Sequence, residues 1–151
     1  MVPCGYRKDK NNKVDPHMRL MMCQLAIQDY FPKDYPVKVC DIEVQNGSSI
    51  PTYFMMKKLE EEHKGMEFHF LAGTDLIPGL STWDEGQKLL DEIKFIIFSR
   101  RGYEKVLSSP HRDFQLPKTY EILNAKDNLI GMISSTEVRR RISIAKTEAL
   151  G

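Results

Sequence analysis

Apolar and polar residues along this chain alternate between the two periods that distinguish helices from strands. Helical spacing of apolar residues is found in three stretches, at residues 17–31, 52–63 and 83–93. Strand-like alternation or nearly continuous apolar sequence is found in four shorter stretches, at residues 37–44, 68–72, 95–98 and 119–123. Helices that alternate with short buried strands predict an α/β fold, in which helices cover both faces of a parallel sheet.

Length, charge and residue composition limit the classes of protein to which this chain can belong. The 151 residues suit one domain over 1–151, and a net charge of +1 supplies no overall field to attract nucleic acid or a membrane. No apolar run approaches the roughly 20 residues that span a bilayer. The three cysteines and four histidines show neither close pairing nor metal-ligand spacing. We therefore expect a reducing compartment, cytosolic (cytoplasmic) or nuclear.

The segment from Ile133 to Arg139 is the strongest candidate for a binding site. Three small polar residues, Ser134, Ser135 and Thr136, precede a basic helical pattern. Hydroxyls and unpaired N–H groups at a helix start favour an anion, and Arg139 lies about one turn into the helix, where it could reach the same anion. This predicts a phosphate site. The alternative, which these residues on their own would favour, is an ordinary N-cap followed by a solvated basic face.

Two further candidates follow predicted strands, where open α/β sheets bind their ligands. Gly73 and Asp75 come directly after residues 68–72. Glycine allows a ligand close to the backbone, and a carboxylate can accept hydrogen bonds from ribose hydroxyls; a turn with an Asp helix cap is an equally good interpretation. Arg100 follows residues 95–98, although surface charge would also explain it.

Two other features bear on a ligand site. Trp83 is the only tryptophan, and its ring could stack on an aromatic ligand, although a lone tryptophan is more often a core anchor. The basic loop near the start of the chain, which includes Lys8, could hold a phosphate, although exposed charge is the default explanation. No single feature among these decides between a site and ordinary structure.

In this order, the segments resemble the nicotinamide/nicotinate mononucleotide adenylyltransferase family, which joins a pyridine mononucleotide to the AMP part of ATP in NAD biosynthesis. The resemblance covers nearly the whole chain and rests on Val2-Pro3 with Tyr6 and Lys8, Arg19 with Met22, Gly73-Thr74-Asp75, Trp83, Ser99-Arg100 with Gly102, and Ile133-Ser134-Ser135-Thr136 with Arg139. Each motif is weak, but their joint order and spacing are specific. The resemblance implies a Rossmann-like nucleotidyltransferase fold.

The resemblance also implies roles for individual residues. The ATP-binding residues would be Gly73 and Asp75 for the adenosine part and Ser134, Ser135, Thr136 and Arg139 for the phosphates. The mononucleotide-binding residues would be Lys8 for the phosphate, Thr52 and Trp83 for the pyridine ring, and Arg100 near the nucleotide. ATP and nicotinamide or nicotinate mononucleotide would then be the partners, with Mg²⁺ on the ATP phosphates as the cofactor.

One family feature is missing. The family's first strand ends in a Gly-x-Phe-x-Pro-x-His-x-x-His signature whose histidines contact ATP phosphates, and this sequence has no such segment; His17 lacks the required neighbours. We therefore expect a fragment that lacks its first strand and a short segment at its other end, and whose open sheet edge could pair with a second copy. No catalytic residue can be assigned, and the adenylyltransferase activity that the resemblance implies need not be shown by this chain alone.

Two alternatives stay open at this point. One is a nucleotide-binding module of this family without catalysis, in which the mononucleotide half survives. The other is a related nucleotidyltransferase with another acceptor, although Trp83 near Gly73-Thr74-Asp75 favours a pyridine substrate. The choice between nicotinamide and nicotinate depends on a few pocket groups that the sequence does not identify.

Overall fold

The computed structural model describes residues 1–7, 14–100, 102–103, 105–108, 113–123 and 140–141. The chain divides into two compact units, Met1–Met55 and Met56–Gly151. In chain order, the helices and strands bounded within the described ranges are α1 (Pro16–Tyr30), α2 (Ile42–Gln45), α3 (Thr52–Glu62), β1 (His69–Gly73), a 3₁₀ helix (Ile77–Thr82), α4 (Gly86–Glu92), β2 (Lys94–Phe98) and β3 (Thr119–Leu123).

The second unit contains an open sheet of three parallel strands in the order β1-β2-β3. In the central strand β2, Phe95 lies opposite Phe70 of β1 and Tyr120 of β3. Gly73 at the end of β1 lies opposite Phe98 at the end of β2, so the carboxyl ends of these strands meet at one edge. Helices flank the sheet, and the predicted α/β fold with a parallel sheet is confirmed.

The core of the second unit explains why these segments form a sheet and its flanking helices. Phe95 and Ile97 of β2 are fully buried, and because alternate residues of a strand share a face, they define the face of the sheet that packs into the core. Leu89 and Leu90 of α4, with Ile93 just beyond it, are also buried. Full burial of such side chains contributes roughly 1.5–3 kcal/mol each, so α4 is held mainly by its packed face.

The first unit contains the long helix α1. Asp15 caps this helix, because its Oδ1 accepts the backbone N–H of His17 at 2.8 Å, and Pro16 suits the first helical position. The helix ends at Tyr30, one residue before the predicted end. None of its residues is buried. No helix in the described ranges is long and apolar enough to cross a membrane.

The predicted strand over residues 37–44 is wrong. Its last part forms the short helix α2, and no strand is assigned to the rest. The stretch makes two backbone hydrogen bonds with the start of the chain: the amino group of Met1 donates to the Lys38 carbonyl and Cys40 N–H donates to the Met1 carbonyl, both at 2.8 Å. Ile42, Glu43 and Val44 of α2 are consecutive and all buried, which a strand with one buried face would not allow.

The predicted helix over residues 83–93 is also shorter than expected. It begins at Gly86, because Glu85 adopts a left-handed conformation with φ of 52° that interrupts the helical path. Trp83 instead closes the preceding 3₁₀ helix, donating its N–H to the Leu80 carbonyl at 3.1 Å. The tryptophan is therefore held in a turn between two helices.

Glu67 links the amino ends of β1 and β2. Its Oε2 accepts a hydrogen bond from Lys94 Nζ at 2.5 Å, and its Oε1 lies 2.6 Å from Nε2 of His69. The hydrogen bond from Lys94, followed by the contact with His69, lowers the pKa of the Glu67 carboxyl below its ordinary value of 4.5. The charged form is therefore favoured in the folded protein.

This lowered pKa predicts an acid-sensitive contribution to stability. A carboxyl with a lowered folded-state pKa stabilises the protein above its unfolded pKa, and that stabilisation is lost as the pH falls through the folded value. The urea midpoint of the wild type should exceed that of Glu67→Gln at pH 6, and the difference should shrink towards pH 3. The same change at the exposed Glu61 is the control. A pH-independent difference between the wild type and Glu67→Gln would contradict the assignment.

Candidate functional site

The candidate site lies at the carboxyl edge of β1 and β2, and Thr74 connects the two loops that begin there. This residue is 1% exposed. Its N–H donates to the Phe98 carbonyl at 3.0 Å, and its Oγ1 accepts the backbone N–H of Arg100 at 2.9 Å. Because this buried residue directly follows β1 and bonds to the end of β2 and to Arg100, the loop after β1 and the loop after β2 are held in a fixed relation.

Asp75 and Arg100 form an ion pair at this edge. Arg100 Nη1 donates to Asp75 Oδ2 at 2.9 Å, with the two side chains 30% and 22% exposed. The second oxygen, Asp75 Oδ1, is buried and has no hydrogen-bond partner among the described residues. A buried acceptor without a partner carries a free-energy cost, which a ligand hydroxyl or amine could remove.

Gly73 provides the space for this ion pair. A Cβ at this position would lie 2.4 Å from Asp75 Oδ1 and 2.7 Å from Arg100 Cδ. Both distances are well below van der Waals contact, so any larger residue would displace these side chains. The structure therefore brings three of the residues predicted from sequence, Gly73, Asp75 and Arg100, into direct proximity.

Trp83 belongs to the same unit, and its ring packs against the sheet. It meets the Phe70 ring edge to face at 6.3 Å and 78°, and Phe70 meets the buried Phe95 at 5.6 Å and 85°. Such pairs stabilise by roughly 0.5–1.5 kcal/mol beyond area burial, so Trp83 does anchor the core. The residue is only partly buried, and the predicted stacking on a pyridine ring stays a prediction.

Thr52 lies in the first unit, as the first residue of α3. Shortly before it, the N–H of Ile50 donates to Glu43 Oε1 at 3.1 Å. The other oxygen of this carboxylate, Oε2, accepts the N–H of Gly5 at 2.8 Å. Glu43 was not among the residues predicted from sequence, although a carboxylate between the apolar residues Ile42 and Val44 is a signal that could have identified it.

Cys4 lies beside Glu43. Burial raises the pKa of the Cys4 thiol, and the negative charge of Glu43 raises it further. Because the thiolate is the nucleophilic form of cysteine, this thiol is poorly suited to nucleophilic chemistry. Cys4 is therefore not a candidate nucleophile.

The remaining predicted site residues are Lys8, Ser134, Ser135, Thr136 and Arg139, and they lie outside the described residues. Of the segment that follows them, Arg140 and Arg141 are described, and both are helical. The predicted phosphate site at the helix start therefore stays a prediction.

A protein-bound metal centre has no basis in the described ranges. No group there contains three or more histidine, cysteine, aspartate or glutamate side chains that could hold a metal ion. The expected Mg²⁺ would be bound through ATP phosphates, a mode that needs few protein ligands. The predicted cofactor is therefore compatible with the described residues but is not tested by them.

Comparison with known proteins relates this geometry to a family. The chain matches the cytidylyltransferase-like family over residues 1–141. Among solved structures, it is similar to Plasmodium falciparum nicotinic acid mononucleotide adenylyltransferase complexed with NaAD, with 32% identity and a TM-score of 0.72 over 92% of this chain. The same enzyme complexed with APC gives 30% identity and a TM-score of 0.67, also over 92% of this chain.

The matches cover a larger share of this chain than of the solved structures. The chain spans 66% of the structure with NaAD and 65% of the structure with APC, which is just under two thirds of each. The matched residues contain the three-stranded parallel sheet and the site at its carboxyl edge. The chain therefore belongs to the cytidylyltransferase-like family, and its resemblance to the nicotinamide/nicotinate mononucleotide adenylyltransferases is confirmed.

Proposed function

We propose that this chain transfers the adenylyl group of ATP to nicotinate or nicotinamide mononucleotide, giving the dinucleotide and pyrophosphate. The observation that carries the proposal is the buried Oδ1 of Asp75, which has no hydrogen-bond partner within the described part of the chain and lies beside Arg100 at the carboxyl edge of a parallel sheet. Open α/β sheets bind nucleotides at this position, where a carboxylate can accept hydrogen bonds from ribose hydroxyls.

The ion pair with Arg100 suits Asp75 to this role. Because Oδ2 is already bound to the guanidinium, the carboxylate is fixed in direction, and Oδ1 is left to accept a hydrogen bond from the ligand. Arg100 retains further N–H donors that could bind a phosphate. The pair therefore offers an acceptor for a ribose and a donor for an anion at one place.

The reaction would be direct in-line transfer. A phosphate oxygen of the mononucleotide attacks the α-phosphorus of ATP, the bond from that phosphorus to the β-phosphate oxygen breaks, and pyrophosphate leaves. No protein nucleophile takes part, so the protein holds two polyanions in line and stabilises the charge on the phosphoryl oxygens. Mg²⁺ bound to the ATP phosphates would supply part of this stabilisation.

The pyridine acceptor is supported by the similarity to a nicotinic acid mononucleotide adenylyltransferase and by the position of Trp83 close to the sheet. A binding module without catalysis is the second candidate. Both candidates require a pyridine mononucleotide to bind.

Calorimetry tests whether the chain binds a pyridine mononucleotide, which both candidates require and an unrelated function does not. We expect nicotinate or nicotinamide mononucleotide to bind the 151-residue chain, with Trp83→Ala weakening the affinity by roughly tenfold if one face of the ring stacks on the ligand. Phe68→Ala, which removes another aromatic side chain near the sheet, controls for lost packing. No heat of binding for either mononucleotide would contradict both candidates.

A further inference from the structure

Glu43 joins two segments that are far apart in the sequence. Its Oε2 accepts the N–H of Gly5 at 2.8 Å, and its Oε1 accepts the N–H of Ile50 at 3.1 Å. The residue is 7% exposed. A buried carboxylate is costly unless its oxygens accept hydrogen bonds, and here both oxygens do so from backbone groups. This carboxylate therefore fixes the spacing between the two segments.

The two segments also touch directly. Ser49 N–H donates to the Tyr6 carbonyl at 2.9 Å. A Cβ on Gly5 would lie 2.6 Å from the backbone carbon of Ser48 and 2.8 Å from the Glu43 carbonyl oxygen. Only glycine permits this approach without displacing backbone atoms. The contact between residues 4–6 and 48–50, here called the Glu43 junction, is thus closely packed.

Arg19 of α1 holds the same junction from another side. Its Nη2 donates to the Cys4 carbonyl at 2.6 Å and to the Gly5 carbonyl at 2.8 Å. Its Nη1 donates to the Val14 carbonyl. One guanidinium therefore binds the chain both before and after residues 8–13, and its planar fork suits this arrangement better than the point charge of a lysine.

We infer that Glu43 is a positioning residue for the pyridine mononucleotide, with Arg19 as its auxiliary. The junction ends two residues before Thr52, which is expected to help shape the pyridine pocket. The inference rests on the proposed function. Neither Glu43 nor Arg19 needs to touch the ligand, because a displacement of about 1 Å in a positioned segment can cost roughly a hundredfold in rate.

Glu43→Gln tests the inference. The amide group places an N–H₂ donor against one of the two backbone N–H donors, so one segment is released while the side-chain volume is kept. We expect the Kd for the mononucleotide to rise at least roughly tenfold and the Kd for ATP to stay within about twofold, both by calorimetry. Asp41→Asn is the matched control, because it makes the same change at a side chain that accepts a hydrogen bond from Gln45.

Each outcome decides the matter. Selective loss of mononucleotide affinity in a folded Glu43→Gln protein supports the inference; unchanged affinity, or equal loss of both ligands, overturns it. If Glu43→Gln does not fold, Arg19→Lys is compared with the wild type in the same two calorimetric titrations. This change keeps the positive charge but removes the guanidinium group that donates to the Cys4 and Gly5 carbonyls. A wild-type chain that binds ATP but no mononucleotide would overturn the proposed function itself, together with this inference, before any variant is made.

Discussion

Asp75→Ala should lower kcat/KM for adenylyl transfer by roughly 10- to 150-fold, because it removes a charged acceptor worth about 1.5–3 kcal/mol. Asp75 Oδ1 is buried without a partner in the described structure and is proposed to accept a hydrogen bond from the adenosine part. The change also releases Arg100 from its 2.9 Å ion pair. The loss should fall mainly on the KM for ATP, and steady-state kinetics with ATP as the varied substrate measures it.

A control is available on α4. Asp91 is exposed and accepts a hydrogen bond from Gln87 at 3.0 Å. Asp91→Ala makes the same chemical change away from the sheet edge, and it should leave kcat/KM within about twofold of the wild type. If Asp75→Ala and Asp91→Ala had the same kinetics, the nucleotide site could not be at Asp75.

Gly73→Ala is expected to disable the site by crowding it. The added methyl would lie 2.4 Å from Asp75 Oδ1 and 2.7 Å from Arg100 Cδ, so the ion pair must move. Overpacking of this kind costs about 1–3 kcal/mol of stability. Activity should fall about as far as in Asp75→Ala. Urea unfolding and steady-state kinetics give the two quantities.

Gly79 provides the matched glycine control. A Cβ at this position meets nothing within 4 Å in the described structure. Gly79→Ala should therefore change stability by no more than about 0.5 kcal/mol and leave the kinetics unchanged. Equal effects of the two substitutions would show that the loss in Gly73→Ala comes from backbone flexibility rather than from contact with Asp75 and Arg100.

The sheet was predictable because its signals are local and strong. The strand over residues 119–123 is found with the predicted bounds, and β1 and β2 lie within one residue of theirs. Each strand is a short run with mostly apolar residues. Such a run indicates a strand of a parallel sheet from its own sequence, with little information needed from the rest of the fold. The first part of the candidate site follows from this success, because Gly73 ends β1 and Asp75 and Arg100 each lie two residues beyond the end of a strand.

The errors arose where tertiary contacts override local pattern. Residues 37–44 alternate like a strand, but Glu43 is turned inward to accept N–H groups from residues 5 and 50, contacts that no local rule contains. The helix over residues 83–93 starts late because Glu85 adopts a positive φ, which is uncommon for a residue other than glycine. The role of Glu43 was not predicted because it depends on these contacts with residues 5 and 50, which are distant in sequence.

Formation of the dinucleotide would establish the proposed adenylyl transfer. The chain would be incubated with ATP, Mg²⁺ and either nicotinate or nicotinamide mononucleotide, and the products would be separated by chromatography and identified by mass. We predict a dinucleotide and an equal amount of pyrophosphate, both requiring the mononucleotide. Mononucleotide binding with no dinucleotide at any enzyme concentration would contradict adenylyl transfer and leave the non-catalytic binding module as the function.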